Sequence, residues 1–390
     1  MSTASSFVCI GTFSPTLYLY SLASDATLTA VSTSTAFGIN HEAIVIVPNS
    51  AESATLVVAN NNGASSENPG QSGAEHLSGK AHVHTARISA SGGFEPVSKL
   101  LVPGAGPIHA TMHPSGRVAI ANYVGGTVDI LGPLEGSRLP IPSSRMWCLP
   151  RRPTGLASTD KLGEPNFGGS AHMVTFDSRA GADSFIFGVN AGTPPSIAVI
   201  KPASGKVLHT VSMPTRVRRL VLHPTLPVAY IVYEAEGDVA TWTWPSADGW
   251  NADGTPKLVL KELQRCKMSP DTGLNLPTSF VLTAKGDFGY TATRTSFAHG
   301  GTDQKAKVGV FAVDEDGTLK HVEWVDSGGW NTRDCVLSPG DGALLTVDVL
   351  GDTLTSFKRD AATGKLKKSS VVSVPRPTGI ATWRPTEANM

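Results

Sequence analysis

One layout of apolar runs and turns recurs along the whole chain, and it limits the possible folds more than any single motif does. It is clearest in GPIHATMHPSGRVAIANYVGGTVDIL, from Gly106 to Leu131. An apolar run ends in the turn HPSG, a second ends in Asn122 and Tyr123, and a third follows GG. Alternating runs separated by glycine-containing reversals are the pattern of an antiparallel meander. The layout returns in HEAIVIVPNSAESATLVVANN, SAHMVTFDSRAGADSFIFGVNAGTPPSIAVI, RRLVLHPTLPVAYIVYEAEGDVATW, TSFVLTAKGDFGYTATR with KVGVFAV, and TRDCVLSPGDGALLTVDVLGDTLTSF. A further turn signal, in SASGGFEPV, PASGKVLHT, DEDGTLKHV and DAATGKLKK, separates a third run from a fourth. Each unit therefore reads as four strands, with Gly or Asp supplying the tight hairpins. Self-similarity at about 45 residues indicates a propeller or a solenoid.

The two ends of the chain decide between these. FVCIGTFSPTLYLYSLASDATLTAV supplies a second, third and fourth strand without a first, and PTGIATWRP supplies a lone first strand. Joined in one sheet they complete a seventh unit and leave the ring without an open edge. The expected fold is all-β, a single seven-bladed β-propeller domain over residues 1–390, closed by the C-terminal strand joining the N-terminal blade. Two insertions interrupt the period: NNGASSENPGQSGAEHLSGKAH, and the stretch from about Gly132 to Gly169. Both are expected to be loops over a rim, where ligand contacts concentrate.

Charge narrows the partners. The 32 basic and 32 acidic residues cancel, and no run of like charge builds the stripe that nucleic acid or an anionic membrane requires. No nucleic-acid or membrane partner is expected, and a small or protein ligand is. The four cysteines, Cys9, Cys148, Cys266 and Cys335, are far apart and read as small buried apolar residues. MSTASSFVCIGTF lacks a basic leader region and a long apolar core, so a cytoplasmic protein is expected. Phosphate loops and a GxSxG elbow are missing, which argues against a nucleotide enzyme or a serine hydrolase. His82 and His84 share one face of a strand, with His76 nearby, but no carboxylate or cysteine completes a metal set at local spacing. They read as residues of an exposed third strand, and no metal or organic cofactor is expected.

First and second strands of a blade run antiparallel, so the start of one and the end of the other share a rim of the central channel. Counting back from each turn, the first-strand column reads Glu42, Ile108, His172, Arg218, Thr278, Arg333 and Gly379. The second strands end at Asn60 and Asn61, Asn122 and Tyr123, Asn190, Tyr233 and Glu234, Thr293 and Arg294, and Asp348. A purely structural repeat would fill such columns with one residue type. Three arginines at one mouth need an acidic partner or an anionic ligand. Alternatively, Arg218, Arg294 and Arg333 bridge blades through carbonyls and Asp348. His172 and Glu234 are the titratable groups suited to moving a proton.

At these residues the chain resembles the seven-bladed lactonase family, which includes cycloisomerase-type 6-phosphogluconolactonases and fungal carboxy-cis,cis-muconate lactonizing enzymes. GPIHATMHPSGRVAIANYVGGTVDIL looks like that family's third-blade segment, and SAHMV, RRLVLHP, YIVYE and YTATR carry its His, Arg, Glu and Arg. The resemblance implies a site of His172, Arg218, Glu234 and Arg294, the same four that the columns contain. The phosphogluconolactonase members usually carry His-Ala-His where this chain has Ser170-Ala171-His172, and Asn where it has Tyr233 and Thr293.

The expected activity is hydrolysis of a small anionic, sugar-acid type lactone. Arg218 and Arg294 would hold the anion, with His172 or Glu234 as acid or base. Arg333, His109, Asn122, Tyr123 and Asn190 are expected as substrate contacts. Two alternatives stay open: a cycloisomerase that forms a lactone from a carboxymuconate-like diene acid, and a catalytically silent propeller that binds proteins.

Overall fold

A computed structural model describes residues 6–50, 52–61, 80–139, 145–148, 158–159, 165–166, 170–246, 248–268, 275–295 and 305–385. The repeat folds as seven four-stranded antiparallel sheets. Blades 2 to 7 are each continuous in sequence, with first strands Ala43–Pro48, Pro107–Met112, Ala171–Phe176, Arg219–Leu222, Asn275–Leu282 and Thr332–Leu337. Blade 1 takes its first strand from the other end of the chain. Pro377–Trp383 pairs with Ser6–Thr12, with Phe7 opposite Trp383 and Ile10 opposite Ile380. Closure by the C-terminal strand is as the sequence implied.

The alternation within strands explains how blades adhere. Successive side chains point to opposite faces of a sheet, so Phe7 and Cys9 join the apolar cluster shared with blade 2 while Val8 and Ile10 join the one shared with blade 7. Each of the seven blade interfaces carries such a cluster. The HP turns add polar ties at the rim opposite the strand starts. His113 Nε2 meets Ser184 of blade 4 at 2.7 Å, and His223 Nε2 donates to the Gly286 carbonyl of blade 6 at 3.2 Å.

Several details differ from expectation. The second insertion includes the fourth strand of blade 3, Arg145–Cys148, paired with Thr127 to Ile130. Residues 140–144, 149–157, 160–164 and 167–169 of it, and most of the first insertion with His76, lie outside the described residues. Residues 244–261 leave blade 5 between its third and fourth strands and pack Trp244 and Trp250 on Phe187 of blade 4, at 5.5 and 5.4 Å between rings. His84 is buried rather than exposed, against Asn60 and Phe37, because the face it shares with His82 turns toward the loop before blade 2. Cys9 and Cys335 are buried and burial pushes both thiols up to about 12, whereas Cys266 is half-buried. Among the described residues, no helix is long and apolar enough to cross a membrane.

Candidate active site

A recurring backbone irregularity builds the site. In five blades the ladder between first and second strands slips by one residue near the channel mouth, leaving Ile108, His172, Thr278, Arg333 and Thr378 unpaired. An extra residue of this kind bends its strand and re-aims its side chain. Arg218 holds the same place in blade 5, just before the strand, with its N–H bonded to the Val232 carbonyl at 2.8 Å. The column read from sequence thus has a backbone cause. In blade 1 the slip falls on Thr378, one residue before Gly379.

Glu234 is the centre of the cluster. It leaves the second strand of blade 5 in a short 3-10 turn, Glu234–Glu236, closed by Gly237 at a left-handed φ of 74°, a conformation that suits glycine. Its side chain is 0% exposed and contacts two arginines, Arg218 Nη1 at 3.0 Å from Oε2 and Arg294 Nη2 at 2.9 Å from Oε1. Arg218 Nε also donates to the Thr278 carbonyl at 2.8 Å, which ties blade 5 to the irregularity of blade 6. Arg333 pairs with Glu42, reaching past blade 1 to blade 2. Asp348 instead accepts the backbone N–H groups of Asn331 and Gly351 at 2.7 and 2.6 Å.

Electrostatics then assigns protonation states. Burial alone would raise the Glu234 carboxyl, but Arg218, Arg294 and Arg216 outweigh it and hold the group down to about 2. Burial draws Arg218 down to about 10, against the pull of Glu234. Burial, reinforced by Arg218, Arg219, Arg333 and Arg294, holds His172 well below its ordinary 6.5. At neutral pH the imidazole is therefore uncharged. It stands edge-on to Tyr123 at 5.7 Å, and Arg216 Nη2 donates to the Tyr123 hydroxyl at 3.2 Å. His172 Nδ1 is buried without a hydrogen-bond partner.

With this geometry in view, family comparison is decisive: the model of the lactonase family of seven-bladed β-propellers matches residues 9–382. The chain belongs to that lactonase family. A 6-phosphogluconolactonase of Bacillus subtilis is 25% identical over 299 residues, 74% of this chain and 77% of that protein. The periplasmic gluconolactonase PpgL of Pseudomonas aeruginosa shares the fold at a TM-score of 0.76, with 18% identity over 97% of this chain and 99% of its own. A Lactobacillus plantarum protein superposes at a TM-score of 0.73, also with 18% identity, over 97% of this chain and 100% of its own length.

Of the residues expected at the site, the lactonase fold gathers His172, Arg218, Glu234 and Arg294, with Arg333 and Tyr123 beside them. The other three stand in different surroundings. Asn190 spends its side chain on the backbone: Oδ1 accepts from Ser170 and Gly192 at 2.9 and 3.0 Å, and Nδ2 donates to the Pro194 carbonyl at 2.9 Å. Asn122 is buried and donates to Thr127 Oγ1 at 3.2 Å, packed so closely on Gly104 that a Cβ there would lie 2.2 Å from its Nδ2. Both asparagines hold strand ends, because a short amide at the end of a strand reaches its own turn first.

His109 sits one residue deeper, in a channel cavity of about 560 Å³ that Arg219, Ser279 and Asp334 also line. Burial and Arg219 push His109 down to about 3, against the opposing pull of Asp334. Arg219 meets Asp334 at 3.0 Å, and Ser279 Oγ donates to the same carboxylate at 2.7 Å. Sequence reasoning missed Arg216, Arg219 and Asp334. The run RVRR was the available signal for the two arginines. Among the described residues, no group of three or more His, Cys, Asp or Glu could hold a metal ion.

Proposed function

We propose that this lactonase hydrolyses a small anionic lactone at the channel mouth, with His172 as the base. The observation that carries this reading is one carboxylate shared by two guanidiniums beside a neutral imidazole. Taken together, Arg218, Arg294 and Glu234 keep a net positive charge, suited to an anionic substrate and to the oxyanion that develops on its carbonyl. Glu234 is too strongly held as a carboxylate to trade protons near neutrality. It is a positioning residue that fixes both arginines.

In the proposed reaction His172 takes a proton from water as the water oxygen bonds to the lactone carbonyl carbon. The ring C–O bond then breaks, and the leaving alkoxide takes that proton back from the imidazolium. The product is the open hydroxy acid, and His172 returns to its neutral form. The 25% identity to a protein named as a 6-phosphogluconolactonase supports this reaction type.

A pH-stat assay tests it with 6-phosphogluconolactone, simple aldonolactones and carboxymuconate, comparing wild type with His172→Ala and Arg294→Ala. Acid release from a lactone that both substitutions abolish is the expected result. Turnover of carboxymuconate alone, or activity indifferent to both substitutions, would overturn the hydrolytic reading.

A further inference from the structure

Phe13 follows the end of the strand Ser6–Thr12, and Arg376 immediately precedes the closing strand Pro377–Trp383, so both stand at the mouth rim. Phe13 N–H donates to the Arg376 carbonyl at 3.1 Å. Two guanidiniums lie against the Phe13 ring, Arg376 at 4.9 Å and Arg333 at 5.7 Å from its centroid. Arg333 is one of the charges that bear on His172, so this cluster borders the site already described.

Arg376 is held at a cost. Its φ of 46° lies in the left-handed region, and the Asp352 side chain that accepts its N–H at 2.7 Å stands on a residue with a φ of 52°. Non-glycine residues in that region persist where their surroundings over-determine them, often at ligand sites. The charges also differ in their partners. Arg218 and Arg294 share Glu234 and Arg333 has Glu42, whereas Arg376 makes no ion pair among the described residues. A guanidinium flat on an aromatic ring keeps its N–H edge available for a carboxylate.

The neighbouring loops of blade 7 each expose one large apolar side chain. Trp330 is 41% and Leu350 is 58% exposed, and their loops are joined by Val349 N–H donating to the Asn331 carbonyl at 3.0 Å. We propose that Arg376, seated on Phe13 beside Arg333, is a second anion subsite, which takes a carboxylate at the far end of a short apolar arm of the ligand. The inference rests on the lactone-binding reading of the mouth, with Arg218 and Arg294 holding the first anionic group. It makes the ligand a dianion and Arg376 a specificity-determining residue.

Calorimetry on the full chain tests this without any turnover, using succinate, glutarate and adipate against butyrate. At least one diacid is expected to bind wild type about tenfold more tightly than butyrate, the value of one added charge-assisted contact. Arg376→Gln should bring that diacid to the affinity of butyrate while leaving butyrate unchanged, and Arg376→Lys should keep part of the preference. Thermal melting checks that the variants fold, and Phe13→Leu, which removes the ring and keeps the charge, should weaken the diacid selectively if Arg376→Gln does not fold. Diacids that bind wild type no better than butyrate would overturn the proposal, as would an Arg376→Gln protein that keeps the preference. A chain that prefers diacids yet opens no lactone would defeat the hydrolytic reading alone.

Discussion

Glu234 meets Arg218 with one carboxylate oxygen and Arg294 with the other, so a single buried anion joins blades 5 and 6 at the channel mouth. Removing one member of a buried ion cluster leaves charge without compensation, which costs about 3–5 kcal/mol. Glu234→Gln keeps the volume and loses the charge. It should lower the unfolding free energy in urea by roughly that amount, and a change near zero would show that Arg218 and Arg294 find other partners.

The protonation states predict how stability depends on pH. Glu234 titrates near 2 in the fold against 4.5 in its ordinary range, so its contribution is complete above 4.5 and is lost as pH falls from there to 2. His172 and His109 are held below 6.5, so only the unfolded chain gains their protons as pH falls below that value. Both effects have the same sign. The urea midpoint should decline from pH 6.5 downward and more steeply below 4.5, and Glu234→Gln should remove the steeper part.

Catalysis should show the same depressed histidine. With His172 neutral well below pH 6.5, the acid limb of kcat/KM is expected to fall below that value, not at it. His172→Gln occupies similar space and cannot serve as a base, so kcat should drop about 10²–10⁴-fold, the usual contribution of a general base. An acid limb centred at 6.5, or a variant with near wild-type kcat, would remove His172 from the proton transfer.

The ring was legible because its determinants are local. Turn chemistry and period-2 alternation sit in every 45-residue unit, and the incomplete units at the two ends forced closure. The charged columns were legible for a related reason, since the ladder slips at a nearly fixed distance from each turn and so repeats in sequence. Partners were not. Arg333 and Glu42 are 291 residues apart, and nothing periodic says which blades face each other across a channel. The bonds of Asn122 and Asn190 to their own turns were not legible, because an amide at a strand end looks the same in sequence whether it faces a ligand or caps its own loop. Arg219 and Asp334 each directly follow a residue of the charged column, and only the slip in the ladder separates the mouth from the channel below it.

Asn190 holds the segment that leads into His172. Asn190→Ala would leave the Ser170 and Gly192 N–H groups without an acceptor, a loss of about 1–3 kcal/mol for each buried group. Melting temperature and kcat should fall together. Asn190→Asp retains the accepting oxygen but sets a buried carboxylate against the Pro194 carbonyl, so it should restore only part of both. A variant whose KM alone rises would instead make Asn190 a substrate contact.

Arg218 is the most demanding position because one guanidinium satisfies two fixed acceptors, donating from Nη1 to Glu234 and from Nε to the Thr278 carbonyl. A lysine ammonium is a point charge and cannot span both. Arg218→Lys therefore keeps the net charge of the cluster while releasing either the carboxylate or the blade 6 carbonyl. If charge alone mattered, activity would survive the change. Because an oxyanion is stabilised only by donors already in place, kcat should fall about 10²-fold. Stability should fall by less than in Glu234→Gln, since the carboxylate keeps a cation. Steady-state kinetics beside urea denaturation separates the two effects, and full activity in Arg218→Lys would show that the geometry of this guanidinium is not what the reaction uses.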